Sequence, residues 1–228
     1  MLKRKHDMKT LEIQDDNTIL IGIPKKEEKD KINYVFLDKV YSKVESLLIL
    51  SDYMDFSLHF EGNKFDVPNL KELNLVGKFA LNIFQNKRED FLYAPVLEKM
   101  YFTDTELEQI PSFLKKNKSL KFLNFHHGDL LEIPREIFEM ENLQSLSFHN
   151  LKKIRILPDE IKKLTNLVHF DLWEASIKYL SHELFLLPKI ESISFCFSNY
   201  TPTIEVLSAL KEYKNCGKRF TGWGGYVD

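Results

Sequence analysis

A seven-position apolar pattern recurs five times in succession and constrains the fold of this chain more than any other feature. Successive frames begin at Leu97, Leu120, Leu143, Leu167 and Ile190, so the period is 23 or 24 residues. Within a frame, the apolar residues occupy positions 1, 4, 6, 11, 14, 18 and 21. Of these 35 template positions, 33 are apolar, whereas composition alone predicts roughly 15. The chain is therefore an array of repeated units.

Each unit predicts one strand followed by one short helical return. Positions 4 and 6 alternate with period 2, which indicates a strand whose positions 3, 5 and 7 face the other way. Positions 11 to 21 are spaced by three and four, which is typical of a short helix or 3₁₀ turn. Pro134 and Pro158 suit the start of that return because proline tolerates the first helical turn. One unit cannot bury its own apolar face, so stacked units form a solenoid.

The segments 120–125, 143–148 and 167–172, together with Ile133-Pro134 and Leu157-Pro158, resemble the leucine-rich repeat family. In that family the unit reads LxxLxLxxNxLxxLPxxLxxL, and the repeats here are similar to its short bacterial type of 23 residues. The resemblance implies an α/β fold. It implies a leucine-rich repeat solenoid with a curved parallel β-sheet on the concave face and short helices or 3₁₀ turns on the convex face.

One family feature is missing from this chain. The family has an asparagine at position 9, which bonds loop backbone groups of neighbouring units. The corresponding residues here are Thr105, Gly128, Leu151, Ala175 and Ser198. Backbone groups at this position need other partners, so we expect local distortions of the loops.

The domain organisation is predicted from where the repeat begins and ends. Residues 44–200 hold about six to seven repeat units, and the earlier units are more loosely patterned. Residues 1–43 do not fit the frame, and segments 11–14 and 18–23 alternate around Asp15-Asp16-Asn17 as a hairpin does. Residues 201–228 contain a helix-like segment at 204–213 and a final strand or loop at 219–226. Solenoid ends need a covering, so we predict an N-terminal cap at 1–43 and a C-terminal cap at 201–228.

Composition argues against several classes of function. The net charge of −2, from 32 basic and 34 acidic residues, favours neither nucleic acid nor an anionic membrane surface. No apolar segment follows the basic residues 3–5, and the longest apolar run is too short to span a bilayer. The two cysteines, Cys196 and Cys216, do not make a disulfide scaffold. We therefore expect a cytoplasmic protein without membrane or nucleic-acid partners.

Function is expected on the residues that the solenoid does not need, which are positions 3, 5, 7 and 8 of each unit. These positions carry four of the seven histidines, together with the aromatic residues Tyr101, Phe122, Trp173 and Phe197. Aromatic side chains on a rigid sheet offer a large contact area with few rotatable bonds, as protein-binding faces do. The alternative is that they pack on one another or on a cap. The candidate partner-binding residues are Tyr101, Phe122, His126, His149, His169, Asp171, Trp173 and Glu174.

The same residues permit a second class of function. His126, His127, His149 and Asp104 are neighbours in the predicted rows, and zinc accepts such ligands. A hydrogen-bonded polar patch is the commoner use of such histidines. A thiol enzyme needs a base near Cys196, but His149 is two strands away, roughly 9.6 Å by strand spacing. No phosphate-binding or dinucleotide-binding motif is present in the sequence.

The sequence therefore predicts a non-enzymatic module, without a cofactor, that binds another protein on its concave face with Trp173 as the central anchor. An immunity or inhibitor protein, an adaptor and a delivered effector all fit this prediction. The alternative is a metal-binding or thiol-dependent enzyme that uses the concave histidines or Cys196.

Overall fold

A computed structural model describes most of the repeat region and parts of both ends of the chain. The described residues are 11–14, 18–21, 34–36, 44–50, 57–59, 65–78, 92–105, 107, 110–115, 117–196 and 200–222. The strands are β1 Leu11–Gln14, β2 Thr18–Ile21, β3 Tyr34–Phe36, β4 Ser46–Leu50, β5 Ser57–His59, β6 Phe65–Asp66, β7 Glu72–Val76, β8 Leu92–Tyr93, β9 Lys99–Thr105, β10 Phe122–Gly128, β11 Ser145–His149, β12 Ile156–Leu157, β13 His169–Trp173, β14 Tyr179–Leu180, β15 Ser192–Cys196 and β16 Arg219–Gly222. The α-helices are α1 Ser112–Lys115 and α2 Ile204–Asn215, and 3₁₀ helices span Arg135–Glu139, Asp159–Lys163 and His182–Leu186.

One sheet runs the length of the molecule. Over the described residues it has ten strands, in the order β1-β2-β4-β7-β9-β10-β11-β13-β15-β16. From β2 to β16 every neighbouring pair is parallel, and β1 pairs with β2 antiparallel. Three short parallel pairs, β3 with β5, β6 with β8 and β12 with β14, lie in the return segments. The α/β leucine-rich repeat solenoid predicted from the repeat is confirmed.

The register of the sheet follows the seven-position template without slippage from β7 to β15. Phe122 in β10 lies opposite Ser145 in β11, and His126 lies opposite His149. His149 in turn lies opposite Trp173, which lies opposite Cys196. A slip by one residue would place the apolar set in solvent, so burial of positions 4 and 6 holds the outward rows in the predicted order.

The core is a continuous column of side chains between the sheet and the returns. Phe102, Phe125 and Phe148 all occupy position 6 and stack, with ring centroids 5.0 and 5.3 Å apart and interplanar angles of 4° and 6°. In β13 the phenylalanine is at position 4 instead, and Phe170 meets Phe148 edge-on at 6.4 Å. Each ring is at most 2% exposed, which stabilises the fold by roughly 1.5–3 kcal/mol per side chain.

The return segments on the convex side begin where the prolines predict. Pro134 and Pro158 directly precede two of the 3₁₀ helices. Before the third, Ser181 takes the capping place, and its Oγ accepts a hydrogen bond from Glu183 N. Proline and a capping hydroxyl solve the same problem, because the first N–H groups of a helix have no partner inside it.

The turn that follows each strand has an unusual backbone. Position 8 has a positive φ in five successive units, at Gly77, Asp104, His127, Asn150 and Glu174, with values from 52° to 95°. The N–H groups of Gly77, Asn150 and Glu174 still bond the carbonyl at position 7 of the next unit, at 2.8 to 3.0 Å. The left-handed region is costly for residues other than glycine, asparagine and aspartate. The turn therefore has the same left-handed form in each of these units, and the local distortions expected from the missing asparagine stay a prediction.

Position 9, where the family has asparagine, is filled by packing. Thr105, Leu151 and Ala175 are buried there. At Gly128 an added Cβ would lie 3.2 Å from Thr105 O and 3.3 Å from Leu151 Cδ2. The large side chain of Leu151 therefore occupies the space that Gly128, at the same position of the preceding unit, leaves open.

Side chains that link one unit to the next appear instead just before position 1. Asn142 Nδ2 donates to Lys118 O at 2.7 Å, and Asn166 Nδ2 donates to Glu141 O at 2.8 Å. Ser119 Oγ donates to Pro95 O at 2.8 Å in the unit before them. These bonds join the turns that precede consecutive strands, at the opposite end of the strands from position 9. Neighbouring units are therefore linked by side-chain hydrogen bonds at their amino-terminal ends.

Both ends of the chain extend the same sheet. The two strands of the predicted hairpin are present as β1 and β2. Helix α2, predicted over 204–213, buries Val206, Ala209, Leu210 and Tyr213. Of the strand or loop expected over 219–226, residues 219–222 form strand β16, and only glycine fits at 222 because a Cβ there would lie 1.5 Å from Phe195 O. The cap boundaries 1–43 and 201–228 stay predictions, and much of the first range and residues 223–228 lie outside the described residues.

Candidate partner-binding face

The outward side chains of the strands form a single surface, called here the sheet face. It comprises positions 3, 5, 7 and 8 of strands β7, β9, β10, β11, β13 and β15 and of the turns after them. In register, position 3 reads Glu72, Lys99, Phe122, Ser145, His169 and Ser192, position 5 reads Asn74, Tyr101, Asn124, Ser147, Asp171 and Ser194, and position 7 reads Val76, Thr103, His126, His149, Trp173 and Cys196. The sheet fixes the spacing of these side chains at about 4.8 Å from strand to strand.

Trp173 is the most exposed large aromatic side chain described on this face, at 39%. Its strand neighbours at position 7 are His149 and Cys196. Glu174 follows it in the left-handed turn and is also exposed. No partner holds the Glu174 carboxylate among the described residues. An exposed indole and a carboxylate without a partner among the described residues therefore belong to consecutive residues at the carboxyl end of β13.

Asp171 lies two residues before Trp173 on the same face and is half-buried. Its Oδ2 is 3.1 Å from Nε2 of His149, across the strand boundary. Its Oδ1 is buried and has no hydrogen-bond partner in the described structure. Burial raises the pKa of Asp171, and the neighbouring His149 acts in the opposite direction. The carboxylate is thus incompletely satisfied by the chain itself.

Three imidazole rings lie together beside this group. The ring of His126 is 4.2 Å from that of His127 and 5.8 Å from that of His149, between centroids. Nδ1 of His127 is 3.0 Å from Oδ1 of Asp104, in the row of left-handed residues. Burial lowers the pKa of His126, and so do the two neighbouring imidazoles, against a smaller raising effect of Asp104. The left-handed φ at His127 brings its ring next to His126.

The remaining predicted residues extend the face toward the amino-terminal units and strand ends. Tyr101 is half-buried in β9, and burial raises its pKa, with Glu72 adding to the effect. Phe122 lies beneath the ammonium of Lys99, whose Nζ is 5.8 Å from the ring centroid. His169 Nδ1 is 2.7 Å from Ser192 Oγ in the next strand. These three residues flank the group formed by Trp173, its neighbours and the imidazoles.

Charged residues at the amino ends of the strands form ion pairs with one another. Lys71 bonds Glu45 at 3.1 Å, and Lys121 bonds Glu98 at 2.7 Å, from one unit to the next. The hydrogen bond from Lys121 lowers the pKa of Glu98, and attraction to Lys71 and Lys99 adds to it. The positive charge of these lysines at the amino ends of the strands is therefore balanced by glutamates of the same chain.

The geometry bears on metal and thiol chemistry in two ways. Within the described residues, no three His, Cys, Asp or Glu side chains converge as metal ligands do. His127 and His149 are instead directed at Asp104 and Asp171. Cys196 lies opposite Trp173, and β13 separates it from His149. A base within hydrogen-bond reach of a nucleophile is the signature of such enzymes, and β13 stands between these two candidates.

All eight predicted site residues lie on the sheet face, and five of them, His126, His149, Asp171, Trp173 and Glu174, are neighbours across β10, β11 and β13 and the turn after it. Asp104 and His127, predicted from the sequence to be neighbours at position 8, form a pair on the same surface although neither is among the eight. Polar residues at position 8 of four successive units, Asp104, His127, Asn150 and Glu174, are the sequence signal for this row. Phe197, the other aromatic residue expected there, lies outside the described residues.

No helix in the described part of the chain is long and apolar enough to cross a membrane. No protein-family model matches the sequence. Among solved structures, the chain is similar to an internalin (inlF) from Listeria monocytogenes, with 13% identity, a TM-score of 0.43, and 83% of this chain and 67% of that chain covered. It is also similar to a chain of the Toll–Spatzle complex of Drosophila, with 12% identity, a TM-score of 0.33, and 92% of this chain and 44% of that chain covered. By its own repeat and strand register, the chain has the fold of a leucine-rich repeat solenoid.

Proposed function

We propose that this chain is a non-enzymatic interaction module that holds a partner protein against its sheet face. One observation carries the proposal: Trp173, His126, His149 and Glu174 form a contiguous, partly exposed patch on a rigid parallel sheet. Interface anchors are enriched in tryptophan and tyrosine, which bury much area at little cost in side-chain entropy. An exposed tryptophan in the middle of a binding face is therefore the expected centre of affinity.

The sheet supports this role because its strands are held on both sides. Their inward residues are locked in the phenylalanine column, and their backbone bonds are used by neighbouring strands. A face built in this way loses little freedom when a partner binds, so less of the contact energy is spent on ordering. Immunity or inhibitor protein and adaptor are both roles for such a module, and the compartment we propose is the cytoplasm.

The test compares capture of proteins from native lysate by the wild-type chain and by a Trp173→Ala/His149→Ala variant. We expect the partner to be lost from the variant, because removing a central tryptophan costs about 2 kcal/mol or more of binding free energy. The matched control is Tyr93→Ala/Leu131→Ala, which removes two exposed apolar side chains outside the sheet face.

Melting of all three proteins establishes that each variant is folded. A partner that binds wild type and the Tyr93/Leu131 variant equally, but not the Trp173/His149 variant, supports the sheet face as the binding surface. Equal capture by all three proteins, or turnover of a substrate that depends on Cys196 or His126, would contradict the proposal.

A further inference from the structure

The amino ends and the carboxyl ends of the strands differ in how the charges on the sheet face are balanced. At the amino ends of the strands, lysines and glutamates of adjacent units form ion pairs. The opposite part of the face, called here the carboxyl-end band, comprises positions 5, 7 and 8 from β7 to β15. Over its described residues this band contains no lysine or arginine, yet it holds Asp104, Asp171 and Glu174. Among the described residues of the band, imidazoles face two of these carboxylates, Asp104 and Asp171.

The imidazoles compensate the acids only in part. His127 is directed at Asp104 and His149 at Asp171, and each contributes positive charge only when protonated. His126 faces His127 and His149 rather than a carboxylate, and it lies too close to both for its charged form to be favoured. Among the described residues, Glu174 has no such neighbour, and Asp171 keeps one buried oxygen without a donor. The band is therefore rich in acceptors and, over its described residues, carries no permanently charged cation of its own.

We propose that the partner docks a basic segment on this band, with a lysine or arginine side chain over Trp173 and beside Glu174. The proposal rests on the proposed function and specifies the partner's chemistry. The indole, exposed at 39%, offers a face to a cation, and tryptophan is the strongest of the aromatic side chains for that contact. Glu174 follows Trp173 in the exposed left-handed turn, and the proposal places its carboxylate within reach of the same cation. An acidic segment would meet three carboxylates and be repelled.

The test is a selection of random peptides displayed on phage, with the full chain as bait and Trp173→Ala as the counter-selection bait. We expect the peptides that require Trp173 to be enriched in lysine and arginine. Synthetic copies of them should bind Trp173→Ala roughly tenfold more weakly than wild type. Glu174→Gln should weaken them roughly twofold to fivefold, because the pair is exposed. The matched control Glu139→Gln, an exposed glutamate on the convex side, should change nothing.

The possible failures separate the two proposals. Peptides that require Trp173 but are apolar or acidic, or that bind Glu174→Gln as tightly as wild type, overturn the basic-segment proposal and leave the sheet face as a binding surface. Basic peptides that bind wild type and Trp173→Ala equally are held by general charge attraction and also overturn it. A selection that yields no peptide dependent on Trp173 overturns this inference, while the lysate experiment still judges the proposed function.

Discussion

The two sides of the same strands differ in what repeats along them. On the inward side, positions 4 and 6 carry large apolar residues in every strand from β9 to β15, and they are buried. On the sheet face, position 7 changes from threonine to histidine, histidine, tryptophan and cysteine over the same strands. A shared backbone spacing thus supports one set of side chains that repeats and another that does not. Stability is expected from the repeated set and binding from the varied one.

The largest predicted effect tests that division with two adjacent residues. Phe148→Ala should lower the free energy of unfolding by about 3–5 kcal/mol, since it removes a ring stacked against Phe125 in a filled core. His149→Ala, the next residue, should cost under about 1 kcal/mol, since it loses a partly exposed bond to Asp171. Urea unfolding of both variants measures the difference. Similar losses from the two would mean that the sheet face is a structural element and would break the comparison.

The inward side was predictable and the outward side only in part, for physical reasons. A strand period of 2 and a unit period of 23 or 24 fix which residues become neighbours, so the row joining His126, His149 and Trp173 follows from apolar positions alone. The pairing of His149 with Asp171 depends on side-chain rotamers that no period encodes. The left-handed turn at Glu174 escaped prediction because glutamate ordinarily avoids that conformation, so its residue type argues against it.

The second prediction asks whether a repeated position contributes stability even when it is exposed. Asn142→Ala should lower the free energy of unfolding by about 1 kcal/mol, because it removes the hydrogen bond from Nδ2 to Lys118 O. Gln144→Ala is the control, an exposed side chain in the same turn. Thermal or urea unfolding reports both. If Asn142→Ala is as mild as Gln144→Ala, repetition outside the core carries no stability, and only burial does.

The third prediction concerns backbone strain at position 8, in the turns that belong to the sheet face. Glu174 adopts φ of 56°, a region that costs a residue with a Cβ roughly 1–2 kcal/mol. Glu174→Gly removes that cost but increases the freedom of the unfolded chain, so stability should rise by about 0.5 kcal/mol. Asn150→Gly, at φ of 54°, should be nearly neutral because asparagine tolerates this region. A loss of stability in Glu174→Gly would show that its side chain makes a stabilising contact.

The smallest predicted effect is electrostatic and lies entirely on the sheet face. Burial, together with His127 and His149, lowers the pKa of His126 below its ordinary value of 6.5. The neutral ring is therefore favoured in the folded state, so its contribution to stability is complete above pH 6.5 and is lost as the pH falls through the lowered pKa. Between about pH 7 and about pH 5, the wild-type chain should lose more stability than His126→Gln, which cannot titrate. Unfolding by urea across this range measures the difference, with His169→Gln as a control, because His169 bonds a serine and lies away from the other imidazoles. Equal pH dependence in wild type and His126→Gln would mean that the three rings do not interact as their spacing implies.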